Sequence, residues 1–146
     1  MTDSDLTRTY RRYLASVVRF HLAAAEAGGL GPTDYQAASL IDLDGPLSAG
    51  ELADQLGLSP SATTRVVDRL VSTGLAERID DAGDRRRRLI AHTGHLPGAL
   101  SEVLGQVREP IGTAIAELDD HQRAGLQAYF RAATKAYLAV SPRHAE

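Results

Sequence analysis

Four consecutive arginines, Arg85 to Arg88, form the densest run of one charge in this 146-residue chain. Guanidinium groups fork onto paired acceptors, either phosphate oxygens or the N7 and O6 edge of guanine, so the run has the chemistry of nucleic-acid contact. A second polar set lies upstream at helical spacing. Ser61, Thr64, Arg65, Asp68 and Arg69 fall largely on one side of a segment whose other side carries Val66, Val67, Leu70 and Val71. The formal net charge of -3 does not advertise a polyanionic partner, but a chain-wide sum hides how locally the arginines are placed. With no cysteine in the chain, disulfides, thiolate metal sites and thiol-based sensing are excluded.

Other chemistry is poorly supplied. His92 and His95 lack the carboxylate or thiolate neighbours of a tetrahedral ligand set, so no metal and no cofactor is expected. His21, His121 and His144 are scattered over the terminal segments and receive no role. No Ser, His and carboxylate set or phosphate-binding glycine loop is visible, and the chain does not read as an enzyme.

The elements that must position the arginines follow from periodicity and caps. Apolar residues recur at helical spacing from Asp5 to Ala27 until Gly28 and Gly29 stop them. Thr33 with Gln36 has capping-box spacing and predicts a second helix to about Leu43. Asp44, Gly45 and Pro46 make a turn, and Ser48 with Glu51 repeats the capping box before a short third helix. Gly57 supplies a left-handed end to it, Ser59 an N-cap and Pro60 the first residue of a fourth helix. Leu75 to Ile79 alternates like a strand, with Arg87 to Ala91 as its returning partner and a charged hairpin between them. A helical pattern from Leu96 to Leu118 is expected to kink or break at Pro110. A last helix, capped by Asp119 or Asp120, precedes a frayed tail from Ser141 to Glu146.

Short helix, glycine turn, polar-faced helix and hairpin together spell a winged helix-turn-helix, a mostly α fold with a small two- or three-stranded β wing. One domain covers residues 1–146, with the winged lobe over 31–93 and dimerisation helices over 5–29 and 95–140. The major groove, ~12 Å wide, admits one helix with an uncluttered polar face. Ser61, Thr63, Thr64 and Arg65 meet that need, Ser59 and Ser61 orienting the helix end on a phosphate and Arg65 reading a base edge. Arg69, one turn on, is expected at a phosphate. Arg85 and Arg86 reach for the minor groove, and Asp84 pins an arginine through a forked ion pair.

The segment Ser48 to Ile79, containing RVVDRLVSTGLAERI and followed by GDRRRR, resembles the MarR family of regulators. The resemblance extends more loosely over the whole chain. It implies recognition-helix positions at Ser61, Thr64 and Arg65, and a wing element at Asp84 and Arg86. The family pattern is departed from after the wing, where His92 and Leu96 stand for a leucine and a glycine. The resemblance also implies an obligate homodimer of interlocked terminal helices and release from DNA by a small aromatic or anionic effector, for which Tyr10, Tyr13, Phe20 and Tyr35 are the candidate lining. The expected partner is pseudo-palindromic double-stranded operator DNA, bound by a transcription regulator expected to act as a repressor. The alternative is a winged-helix adaptor for protein partners. No stretch approaches the ~20 apolar residues of a membrane span, and Met1 to Tyr10 is polar rather than signal-like, so a cytoplasmic location is expected.

Overall fold

A computed structural model describes residues 2–141. Its order is α1 (Asp3–Ala27), α2 (Pro32–Asp44), β1 (Leu47–Ser48), α3 (Ala49–Leu56), α4 (Pro60–Ser72), β2 (Ala76–Asp80), β3 (Arg88–His92), α5 (Gly98–Ala116) and α6 (Asp120–Val140). The strands form one antiparallel sheet in the order β1-β3-β2. The long pairing sets Ala76 against His92 and Asp80 against Arg88, while Leu47 and Ser48 close the other edge against Ile90 and Leu89. The two-residue edge strand is too short to leave a periodic signal; it forms because Leu47 is buried as the chain turns into α3.

Local signals account for most boundaries. Ser48 and Glu51 complete the predicted capping box, with the Ser48 N–H donating to Glu51 Oε2 at 2.8 Å and the Glu51 N–H donating to Ser48 Oγ at 3.1 Å. Gly57 closes α3 in the left-handed region at φ 65°. Ser59 caps α4, and Asp119 with Gln122 caps α6. Two expectations are corrected. The second helix begins at Pro32 with Gly31 as N-cap and no side-chain cap bond, so the Thr33–Gln36 box does not form; proline already occupies the first turn, where a missing N–H costs nothing. Pro110 does not break α5, which runs through it. The carbonyl that Pro110 leaves without a partner belongs to Gln106, and both residues are exposed, so water can satisfy it. The expected tail lies, beyond Ser141, outside the described residues, as does His144.

One core joins the winged elements. Ile41 of α2, Leu52 of α3, Val67 and Leu70 of α4, Leu75 and Ile90 are all buried. The buried stripes of α2, α3 and α4 meet there and set the three helices at fixed angles to the sheet. The long helices are different. Only Ala24 and Ala25 are buried on α1, only Leu100 on α5, and none on α6.

Candidate nucleic-acid interface and adjoining cavity

Burial of Val66, Val67 and Leu70 turns the opposite side of α4 outward, leaving Ser61, Thr64 and Arg65 exposed. Ser59, half-buried, accepts the Ala62 N–H at 3.2 Å and lies 3.3 Å from the Ser61 hydroxyl, so its oxygen is engaged in starting the helix. The Thr64 hydroxyl donates to the Pro60 carbonyl at 3.0 Å, which leaves its lone pairs outward. Thr63 does not belong to this face. It is fully buried, with its hydroxyl donating to the Ser59 carbonyl at 2.9 Å. At 100° per residue Thr63 shares the inner side with Val66, Val67 and Leu70, and the back-bond lets a threonine sit in a core without an orphan donor.

Arg69 also departs from expectation. Its Nε donates to Asp34 Oδ2 at 2.7 Å and its Nη2 to Asp34 Oδ1 at 2.8 Å, a fork between α4 and α2. The Asp34 side chain is 11% exposed and that of Arg69 55%. Those bonds raise the Arg69 pKa further above its ordinary value. The group expected to meet a phosphate thus also ties one helix to another, through two of its five donors. Asp34 gave no signal in the sequence, because an acidic residue in a first helical turn reads as ordinary dipole compensation.

At the hairpin, Arg85 and Arg86 are exposed and form no ion pair among the described residues. Asp84 does not fork onto an arginine. Its Oδ1 accepts the Arg86 backbone N–H at 3.0 Å, and its carbonyl accepts the Arg87 N–H at 3.0 Å, so it shapes the tip through the main chain. The next arginines turn back to the protein. Arg87 lies 2.8 Å from Glu51 at the start of α3, and Arg88 lies 3.6 Å from Asp80 across the strand pair. The Ser48 backbone bond, followed by Arg87, holds the Glu51 carboxyl below its ordinary pKa. One glutamate therefore caps the first helix of the helix-turn-helix and tethers the wing to it.

Behind this surface a cleft of about 810 Å³ opens between α1, α2 and α5. Tyr13, Phe20 and Tyr35 line it, together with Leu100, Ser39 and Arg108. Tyr10 does not line it. Its hydroxyl bonds that of Tyr137, and its ring meets Tyr129 edge-on at 5.8 Å, placing it in the α1–α6 contact. His21, given no role from sequence, is at the cleft, and its Nδ1 lies 2.7 Å from the Tyr35 hydroxyl. Burial pushes the Tyr35 phenol above its ordinary pKa, with the Arg108 charge opposing in part. His92 also borders the cleft; its Nδ1 accepts the Gly94 N–H at 2.9 Å and lies 3.9 Å from Asp42. The departure from the family pattern at this point is therefore a capped turn that delivers Leu96 to the cleft wall.

The chain is similar in sequence and fold to known proteins. Residues 28–87 match the family model described as MarR family. Over 91 residues the chain is 43% identical to an uncharacterized HTH-type transcriptional regulator, YcgE, of Bacillus subtilis (strain 168); the match takes in 60% of this chain and 59% of that protein, so the chain spans about three-fifths of its curated relative's length. The crystal structure of RV1404 from Mycobacterium tuberculosis superposes with a TM-score of 0.59 at 26% identity, covering 93% of this chain and 94% of that one. A MarR family protein from Bacillus stearothermophilus, at 19% identity, shares the fold with a TM-score of 0.63 over 93% of this chain and 97% of its own. The chain is thus similar in sequence to the MarR family over residues 28–87 and, over nearly its whole length, is built on a winged helix-turn-helix.

Proposed function

We propose that the chain is a homodimeric transcription regulator that reads pseudo-palindromic double-stranded operator DNA. The observation that carries this is the outward face of α4, where Ser61, Thr64 and Arg65 stand exposed on a helix whose reverse side is anchored in the core. A free guanidinium early on such a helix suits bidentate readout of guanine, and the helix N-terminus suits a phosphate. Arg85 and Arg86, exposed at a backbone-shaped tip, suit the narrow negative minor groove alongside.

Dimerisation rests on α6. Tyr129, Phe130, Tyr137 and Leu138 are each 44% or more exposed, and no residue of the helix is buried. A 21-residue helix gains most of its stability from packing an apolar face, so α6 calls for a second copy, with α1 and α5 beside it. Half-sites then lie roughly one helical turn apart, ~34–36 Å. The protein works where its operator is, in the cytoplasm; no helix among the described residues is long and apolar enough to cross a membrane.

The cleft is read as the seat of a small aromatic or anionic effector that releases the operator, and the regulator is read as a repressor. Its volume falls within the range of small-molecule sites. Tyr13 and Phe20 supply faces for a ring, and Arg108, in no ion pair among the described residues, supplies a cation for a carboxylate. An effector acts only through different affinities for the DNA-competent and incompetent dimers.

Selection of bound duplexes from a random pool tests the whole reading. A palindromic winner is expected, with Arg65→Ala relaxing preference at one base pair per half-site and Arg86→Ala weakening binding with a flatter salt dependence. Lack of enrichment at low salt would leave the winged helix as an adaptor for protein partners. Benzoate serves as the effector probe: a rise in melting temperature together with weaker operator binding is expected, and a null result on both sinks the effector reading alone.

A further inference from the structure

The contacts that seat α4 in the core through Val66, Val67 and Leu70 are non-directional, and they leave the last few degrees of rotation about the helix axis to polar pairs at its edges. That rotation decides what the recognition face can read. Side-chain tips lie ~5–6 Å from a helix axis, so a turn of ~20° moves one by about 2 Å, several times the ~0.5 Å within which a binding constellation must be held. Besides the single Asp68–Arg78 contact from α4 to β2, the directional restraint is the Asp34–Arg69 fork. Its two bonds, 2.7 and 2.8 Å, fix an angle as well as a separation, which a single contact cannot do. It stands one helical turn from Arg65 and joins α4 to α2, whose own inner side is buried at Ala37, Ala38 and Ile41. The carboxylate is 11% exposed, a degree of burial at which an ionised group needs its partner.

We propose that Asp34 is a positioning residue for operator recognition, setting through Arg69 the rotation at which α4 presents Ser61, Thr64 and Arg65 to the groove. This rests on the operator reading above. It assigns Arg69 to helix placement rather than to a phosphate, and gives a DNA-binding consequence to a residue that touches no DNA.

The two roles of Arg69 make opposite predictions. The wild type, Asp34→Asn, Arg69→Gln and the double variant are titrated with the selected operator and with a scrambled duplex over a range of salt, each at a temperature well below its own melting point. Positioning requires that each single variant weaken operator binding by about tenfold, the scale of one lost bidentate base contact. It also requires a narrower margin over the scrambled duplex, a double variant no weaker than either single one, and an unchanged salt slope. If Arg69 is instead a phosphate ligand, Arg69→Gln reduces the slope by ~0.9 while Asp34→Asn, which frees the guanidinium, leaves binding equal or tighter; that result overturns the proposal. So does a lowered melting temperature with operator affinity unchanged, which would make the pair a fold stabiliser only. A wild type that selects no duplex brings down the operator reading and this inference together, and is recognised before any variant is made.

Discussion

The Tyr35 hydroxyl lies 2.7 Å from Nδ1 of His21, one residue along α2 from the carboxylate that holds Arg69. Consecutive residues of one helix, ~100° apart, thus reach different neighbours. Tyr35 reaches across the cleft to α1, and Asp34 reaches to α4. Burial disfavours the phenolate of Tyr35, so its folded pKa stands above the unfolded value of 10.0. A group whose folded pKa is raised contributes stability that is complete below the unfolded pKa and is lost as pH rises through the folded one. The melting temperature is therefore expected to fall above pH 10, and Tyr35→Phe to make that fall shallower. Equal slopes in the two proteins would mean that Tyr35 is as well solvated folded as unfolded.

Glu51 joins the cap of α3 to the wing, and the two duties separate chemically. Glutamine at this position still offers a carbonyl to the Ser48 N–H but no charge to Arg87. Glu51→Gln should leave the melting temperature nearly unchanged while amide exchange quickens between Asp81 and Arg87. Faster exchange spread evenly over α3 as well would mean that the cap, not the tether, had been lost.

The start and end of α3 are each governed by one residue. Ser48→Ala removes the acceptor for the Glu51 N–H and should cost about 1 kcal/mol in denaturant unfolding. Gly57→Ala places a Cβ on a residue at φ 65° and should cost a similar ~1–2 kcal/mol. A neutral result for either would show that the neighbouring core holds the helix without its termini.

Leu100 is 1% exposed and forms part of the cleft wall beside Gly28, where a Cβ would lie 3.0 Å from its Cδ2. Leu100→Ala should destabilise by ~2–5 kcal/mol and enlarge the cleft. If the cleft holds aromatic acids, this variant should bind a bulkier ring, such as 2-naphthoate, relatively better than benzoate. An unchanged preference between the two would place their site elsewhere.

Much of this architecture was legible because it is written in short-range chemistry. The Ser48–Glu51 box, Gly57, Ser59 with Pro60, and Asp119 act within four residues of themselves, and the apolar stripe of α4 at 3.6-residue spacing tells which side turns outward. Those signals sufficed for the helix-turn-helix, the hairpin and the outward placement of Ser61, Thr64 and Arg65. Burial of Thr63 was contained in the same periodicity, but its hydroxyl argued for the surface until the back-bond to Ser59 was seen. What only the tertiary structure decided is how distant side chains pair. Asp34 and Arg69 are 35 residues apart, His21 and Tyr35 are 14, and Glu51 reaches Arg87 across the helix-turn-helix. Periodicity assigns a residue to a face of its own element. It carries no information on which residue of another element stands opposite, because that depends on helix crossing angles and strand register summed over the whole core, and there Arg69 meets Asp34.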